Sequence, residues 1–191
     1  MLKENNKGFT LIETVLSILL FSIIAASLFT ALNQMVFSFK KQEKMAEAQD
    51  NMRIVINWVT RDVKAAKDIV SPGNGKGEGN SLKIRLEDGK VYKYYYDNGV
   101  FYRKEDTIGA QPQPLTNTGY ILNNPPYPGF SPAYSFFEQV PQNPQNPQGP
   151  KDPDIIKITI YGGYKEKNGE YVTSVMTTKV YRREFKLGEG G

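Results

Sequence analysis

Apolar positions along this chain change their spacing twice. From Thr14 to Phe39 the residues run uncharged and mostly apolar, with no period at all. From Lys40 onward apolar residues recur at intervals of three and four, and from Ser81 they recur at intervals of two. The three regimes predict a membrane-length helix, an amphipathic helix and a β-rich region, in that order. Between Phe9 and Phe39 the only charge is Glu13, and no proline or glycine interrupts the run. As one helix that stretch would extend roughly 46 Å at about 1.5 Å per residue, longer than a ~30 Å hydrocarbon core.

In the second regime Met45, Ala48, Met52, Val55, Ile56, Val59, Val63 and Ala66 form a single apolar stripe. Charges occupy the remaining faces: Lys41, Glu43, Lys44, Glu47, Asp50, Arg53, Arg61, Asp62, Lys64 and Lys67. Arg61 and Asp62 read as solvated helix surface. Trp58 falls off the centre of the stripe, in a position to cap a sheet. The cluster Ser71-Pro72-Gly73-Asn74-Gly75 is a breaker, so the helix is expected to stop near Val70. A single helix from Phe9 to about Ile69 is therefore predicted, its first half apolar and its second half packed on a domain.

Residues 81 to 105 read as a three-stranded meander, Ser81–Leu86, Val91–Tyr96 and Val100–Glu105, with Asp88-Gly89 and Asn98-Gly99 as hairpin signals. Its parity has two solutions. Two-residue loops put Lys93 and Tyr95 on the Leu82 face. Three-residue loops ending in Gly89 and Gly99 put Tyr92, Tyr94, Tyr96, Val100 and Tyr102 there. The second is preferred because it builds an aromatic core and keeps Lys93 and Arg103 outside. Asp106 to Asp154 is proline-rich and irregular, with a short strand at Tyr134–Val140 and an exposed, flexible Gln-Asn-Pro loop over 141–153. Ile155–Tyr161 and Glu170–Phe185 are the last strands, bounded by Gly162-Gly163 and Asn168-Gly169. The fold class is α+β: a long N-terminal helix and a mostly antiparallel β domain spanning 71–187. The tail 188–191 is expected to be flexible.

Composition narrows the chemistry. The chain has 191 residues, no cysteine and no histidine, with a net charge of +4. Serine–histidine and cysteine–histidine catalysis, disulfides and histidine-ligated zinc are excluded. The G-x-x-x-x-G-K-[ST] phosphate loop is absent, and Gly73 to Gly79 follows a helix and reads as a linker. Asp152, Asp154, Glu105 and Asp106 offer oxygen ligands for calcium, but their spacing matches no EF-hand and they read as solvated loop acids. No catalytic residue, metal or cofactor is expected. Tyr92, Lys93, Tyr94, Tyr95, Tyr96, Tyr102, Arg103 and Lys104 resemble a stacking surface for single-stranded nucleic acid. Sheet propensity already accounts for the tyrosines, so nucleic acid ranks low among the partners.

Glu13 is the anomaly. An acidic residue in a spanning helix costs about 2.5–3.5 kcal/mol at the bilayer centre, so it calls for a partner. A secretory signal, with Lys3 and Lys7 as its basic region and a cut near Ala25, Ala26 or Ala31, needs an apolar region of about 7–15 residues, and this run is longer and contains an acid. A plain signal anchor fits the length. Its flanks, Lys3 and Lys7 against Lys40, Lys41 and Lys44, do not fix its orientation, and Glu13 stays unexplained. In the third reading a peptidase cuts after Gly8. Phe9 then carries a cationic amine four residues from Glu13, on the same helix face. In a stack of such helices the carboxylate of one subunit neutralises the amine of the next and fixes their axial register. On this reading Glu13 has no partner unless the chain is cut.

The run K-G-F-T-L-I-E-T-V-L-S closely resembles the class III signal of type IV prepilins and of the pseudopilins of type II secretion and competence systems. That resemblance implies a leader over 1–8 with basic Lys3 and Lys7, cleavage between Gly8 and Phe9 by prepilin peptidase, and N-methylation of Phe9. It also implies assembly through Glu13 and the helix over 9–39. Partners are then the peptidase, other pilin or pseudopilin subunits in a helix bundle, and inner-membrane lipid before assembly. The location implied is a single pass in the cytoplasmic membrane with the C-terminal domain outside the cytoplasm, followed by a cell-surface or periplasmic filament. The proline that major pilins commonly carry near the position of Thr30 is missing, as is a C-terminal cysteine pair. The run N-M-R-I-V-I-N-W-V-T-R-D-V-K-A-A, within the amphipathic stretch 40–70, resembles J-type minor pseudopilins and W-type minor pilins. The expected function is that of a non-enzymatic minor pilin or pseudopilin. The alternatives are a pseudopilin of a type II secretion or competence machine, and a membrane-anchored, exported β-rich binding protein.

Overall fold

The computed structural model describes residues 9–72, 81–122, 136–146, 151–167 and 169–183, with backbone alone at 71, 72, 151 and 153. The leader, the tail, the whole Gly73–Gly79 linker, Tyr134 and part of the Gln-Asn-Pro repeat lie outside those residues. One helix, α1 (Leu11–Lys64), carries the whole N-terminal part. The chain divides into two units at Glu43/Lys44.

In the first unit apolar side chains point outward in every direction. Leu16, Ile18, Leu19, Leu20 and Phe21 follow one another around the helix and all stay exposed. The hydroxyls of this stretch do not compete for outside partners. Ser17, Ser22, Ser27 and Thr30 each donate to the carbonyl four residues back, on Glu13, Ile18, Ile23 and Ala26, at 2.8–3.0 Å. These four hydroxyls are thus satisfied within the helix, the condition hydrocarbon imposes on a spanning segment. By length and composition it is able to cross a membrane.

In the second unit α1 buries Ala48, Met52, Val55, Val59 and Val63, the stripe read from the sequence. It packs on two antiparallel sheets. The first has the order β1 (Ala66–Pro72), β2 (Ser81–Leu86), β3 (Val91–Asp97), β4 (Val100–Glu105), β5 (Gln113–Pro114). The second has the order β6 (Phe137–Pro141), β7 (Lys151–Lys165), β8 (Tyr171–Tyr181). One core joins all three layers: Val59 and Val63 from the helix, Leu82, Ile84 and Phe101 from the first sheet, Ile156, Ile158 and Ile160 from the second. Phe101 meets Phe136 edge-on at 4.8 Å and Phe137 at 6.1 Å, which ties the sheets together.

Several boundaries differ from expectation. The helix ends at Lys64, not near Val70, and Ala66 to Pro72 is a strand pairing Ala66 with Leu86 and Ile69 with Ile84. The helical period does extend to Ala66, but backbone pairing with β2 and burial of Ile69 outweigh it. Gly162-Gly163 does not close a strand. β7 runs through it to Lys165, because a Cβ at Gly162 would sit 2.8 Å from the Met52 sulfur and one at Gly163 2.2 Å from the Val172 carbonyl oxygen. The glycines let the helix and the neighbouring strand approach. The 141–153 loop is shorter than expected, since β6 includes Pro141 and β7 begins at Lys151.

The meander adopts one loop of each kind. Glu87-Asp88-Gly89 is a three-residue loop, with Gly89 at φ 82°. Asn98-Gly99 is a two-residue turn with φ 48° and 87°, as a type I′ hairpin requires. Tyr92 and Tyr94 therefore align with Ile84 and Leu82, as preferred. β4 instead places Phe101 and Arg103, not Val100 and Tyr102, beside Tyr96 and Tyr94. Arg103 is thus turned inward, against expectation, and Asp62 is the reason. Asp62 is 4% exposed rather than solvated. Its Oδ2 accepts from the Tyr94 hydroxyl at 2.6 Å and from Arg103 at 2.8 and 2.9 Å, while Oδ1 accepts from Arg61 at 3.2 Å. The Arg103 guanidinium lies 3.6 Å from the centre of the Tyr92 ring, and Arg61 and Arg103 flank Trp58 at 4.0 and 5.4 Å. Burial pushes the Tyr94 hydroxyl far above its usual range, and the carboxylate it donates to pushes it further.

Truncating Asp62 to Ala leaves the Arg103 charge without its carboxylate, at an expected cost of about 3–5 kcal/mol in chemical denaturation. Asp62→Ala combined with Arg103→Met should cost clearly less than the two single losses added together. Strict additivity would show that the pair is not coupled. Gly163→Ala should lose about 1–3 kcal/mol and more than Gly162→Ala, because backbone yields less than the end of Met52. The reverse order of melting temperatures would refute this account of the glycine pair.

Candidate assembly site at the helix N-terminus

The first turn of α1 is built by a reciprocal cap. Thr10 precedes the helix, and its hydroxyl oxygen accepts from the Glu13 backbone N–H at 3.3 Å. Glu13 Oε2 in turn accepts from the Thr10 backbone N–H at 2.8 Å and from the Thr10 hydroxyl at 2.9 Å. This is the capping box, Thr-x-x-Glu, in which the two backbone N–H groups left over at a helix start each donate to the other residue's side-chain oxygen. The carboxylate also sits at the positive end of the helix dipole. Glu13 therefore has a partner within the intact chain, which corrects the expectation that only cleavage supplies one. The signal was legible in T-L-I-E as a threonine followed three residues later by a glutamate.

Of the other expected site residues, Phe9 lies just before the helix and is 90% exposed. Gly8, Lys7 and Lys3 fall outside the described residues. Glu13 uses one oxygen, Oε2, in both bonds from Thr10, which leaves Oε1 oriented and without a donor among the described residues.

The other candidates of the sequence separate cleanly. Tyr94 and Arg103 belong to the buried Asp62 network, and the Tyr96 hydroxyl donates to the Ile121 carbonyl at 3.2 Å. Lys93, Tyr95, Tyr102 and Lys104 share the opposite face of the sheet. Asp154 is held by Arg182 at 2.6 Å and Asp106 by Lys83 at 2.8 Å. Among the described residues no cluster of three acids is placed to hold a metal ion. A pocket of about 560 Å³ at the end of α1 is lined by Arg61, Lys64, Glu87, Asp88 and Arg183, charges of both signs with no nucleophile–base pair.

Residues 3–29 match the family described as the prokaryotic N-terminal methylation motif. With the long apolar helix, this is consistent with a type IV prepilin-like protein, and the motif is that of structural subunits. No curated protein matches the chain, and no solved structure does.

Removing the cap should loosen only the first turn. Thr10→Ala is expected to cost about 0.5–2 kcal/mol locally, so amides 11–13 should exchange about 2- to 30-fold faster in micelles, while Thr10→Ser retains protection. Equal exchange in all three proteins would show that the cap contributes nothing.

Proposed function

We propose that this chain is a minor pilin or pseudopilin subunit, cut between Gly8 and Phe9 and built without catalysis into a type IV pilus-like filament. The observation that carries the reading is the coincidence of three features in one segment. The methylation motif covers residues 3–29, the apolar half of the helix exposes apolar side chains on every side, and the single carboxylate of that half is oriented at the helix start. After cleavage, the N-methylated amine of Phe9 on a neighbouring subunit is the cation that Glu13 meets. Pairing inside an apolar bundle relieves two charges at once and sets the axial register. The Thr10 cap does not oppose this, because an oxygen already aimed by two hydrogen bonds has less freedom to lose on accepting a third. Prepilin peptidase, sibling subunits and membrane lipid are the partners. The cytoplasmic membrane, with the β domain outside the cytoplasm, is the location before assembly. A pseudopilin of a secretion or DNA-uptake machine falls within the same mechanism. A plain anchored binding protein does not: the Thr10 cap would give Glu13 a structural role there, but the methylation motif over residues 3–29 would have none.

Intact-mass and N-terminal analysis of the mature chain decides the matter. The expected product begins at N-methyl-phenylalanine, Phe9, whereas an uncut chain or one beginning near Gln34 refutes the assembly reading. Glu13→Ala should be cleaved normally yet fail to enter filaments. Incorporation at the wild-type level would remove Glu13 from the mechanism.

A further inference from the structure

The face of β2, β3 and β4 turned away from the core carries a row of like charge. Lys83 stands opposite Lys93, and Lys93 opposite Lys104. Directly opposed like charges weaken a strand pair, so the row works against the sheet that bears it. Asp106 holds Lys83 at 2.8 Å, while Lys93 and Lys104 make no ion pair among the described residues. The hydrogen bond from Lys83, together with the charges of all three lysines, holds the Asp106 carboxyl below its usual range, so the field of the row is felt as a unit.

Two residues further along the same face, Tyr95 and Tyr102 stand opposite each other with rings stacked at 5.4 Å and 21°. Lys93 Nζ lies 5.7 Å from the Tyr95 ring, so the cationic row and the aromatic pair adjoin. Strands about 4.8 Å apart and same-face residues about 6.7 Å apart put an ammonium row and a π surface side by side within one nucleotide's reach.

We propose that this face binds single-stranded nucleic acid, with phosphates along Lys93 and Lys104 and a base against the Tyr95–Tyr102 stack. Charge alone would suit any polyanion, but an acidic peptide has no flat partner for the tyrosines. The one arginine on this face, Arg85, is already paired with Asp68 at 3.7 Å. A single strand is favoured over a duplex because its bases are free to stack on a sheet surface. The site lies wholly on the sheet, so it stands or falls independently of the assembly reading.

The test is fluorescence anisotropy of a labelled oligothymidine of about 20 nucleotides with the full chain in zwitterionic micelles. With about two phosphates neutralised, affinity should fall roughly 7-fold between about 50 and 200 mM salt. Lys93→Gln with Lys104→Gln should weaken binding about 10-fold and leave the melting temperature equal or higher, as relief of repulsion predicts. Tyr102→Leu should weaken binding about 5-fold or more at unchanged salt slope. Wild-type affinity in the double lysine variant would overturn the proposal. Competition by polyglutamate as effective as by unlabelled oligothymidine would also overturn it, leaving only charge.

Discussion

The buried Asp62–Arg103 pair constrains more of this molecule than any other contact. Asp62 is fixed by the helix, Arg103 by the fourth strand, and Tyr94 between them by the third. A carboxylate and a guanidinium taken out of water are costly unless they meet. Meeting requires one rotational setting of α1 and one register of the meander. Slipping β4 by one residue would turn Arg103 to solvent and leave Asp62 buried with only Tyr94 and the exposed Arg61. The apolar core would tolerate several arrangements of Val59, Ile84 and Phe101, but the ion pair tolerates one. Tyr92 and Trp58 extend the constraint by covering the guanidinium plane.

The N-terminal unit obeys the opposite rule. There the apolar side chains face outward rather than inward, and the hydroxyls bond locally. Serine and threonine hydroxyls bond back onto their own helix, and Glu13 closes on Thr10. The consequence is a cylinder that presents hydrocarbon in every direction and one aimed carboxylate near its start. Such a surface is stable in lipid, or among copies of itself, and it is the same property that makes insertion and bundling interchangeable.

The sheet face carrying Lys83, Lys93 and Lys104 shows how a single turn type sorts residues. The seven-residue stretch V-Y-K-Y-Y-Y-D of β3 looks like one basic, aromatic patch when read as a string. Pairing divides it between the buried Asp62 network and an outer surface, and each half acquires a different chemistry from the other.

Much of the organisation was legible without coordinates. The uncharged run, the stripe from Ala48 to Val63 and the period-two strands follow from local spacing, because burial of a face repeats at the period of the element that bears it. The capping box was legible too, since both of its members lie within one turn. Asp62 was half legible: it falls on the continuation of the stripe through Val55 and Val59 at spacings of four and three, yet a carboxylate there reads as surface until a partner is known. That partner comes from forty-one residues away in sequence, and no local pattern encodes it. The helix end at Lys64, the run of β7 through Gly162 and the inward turn of Arg103 were likewise decided by contacts between distant segments. Sequence alone determined the long helix, the meander, the later strands and where the membrane-compatible segment lies; the tertiary structure added the strands at Ala66–Pro72 and Gln113–Pro114 and decided where elements stop and which charges they hide, because those outcomes depend on the energy of contacts the local chain does not contain.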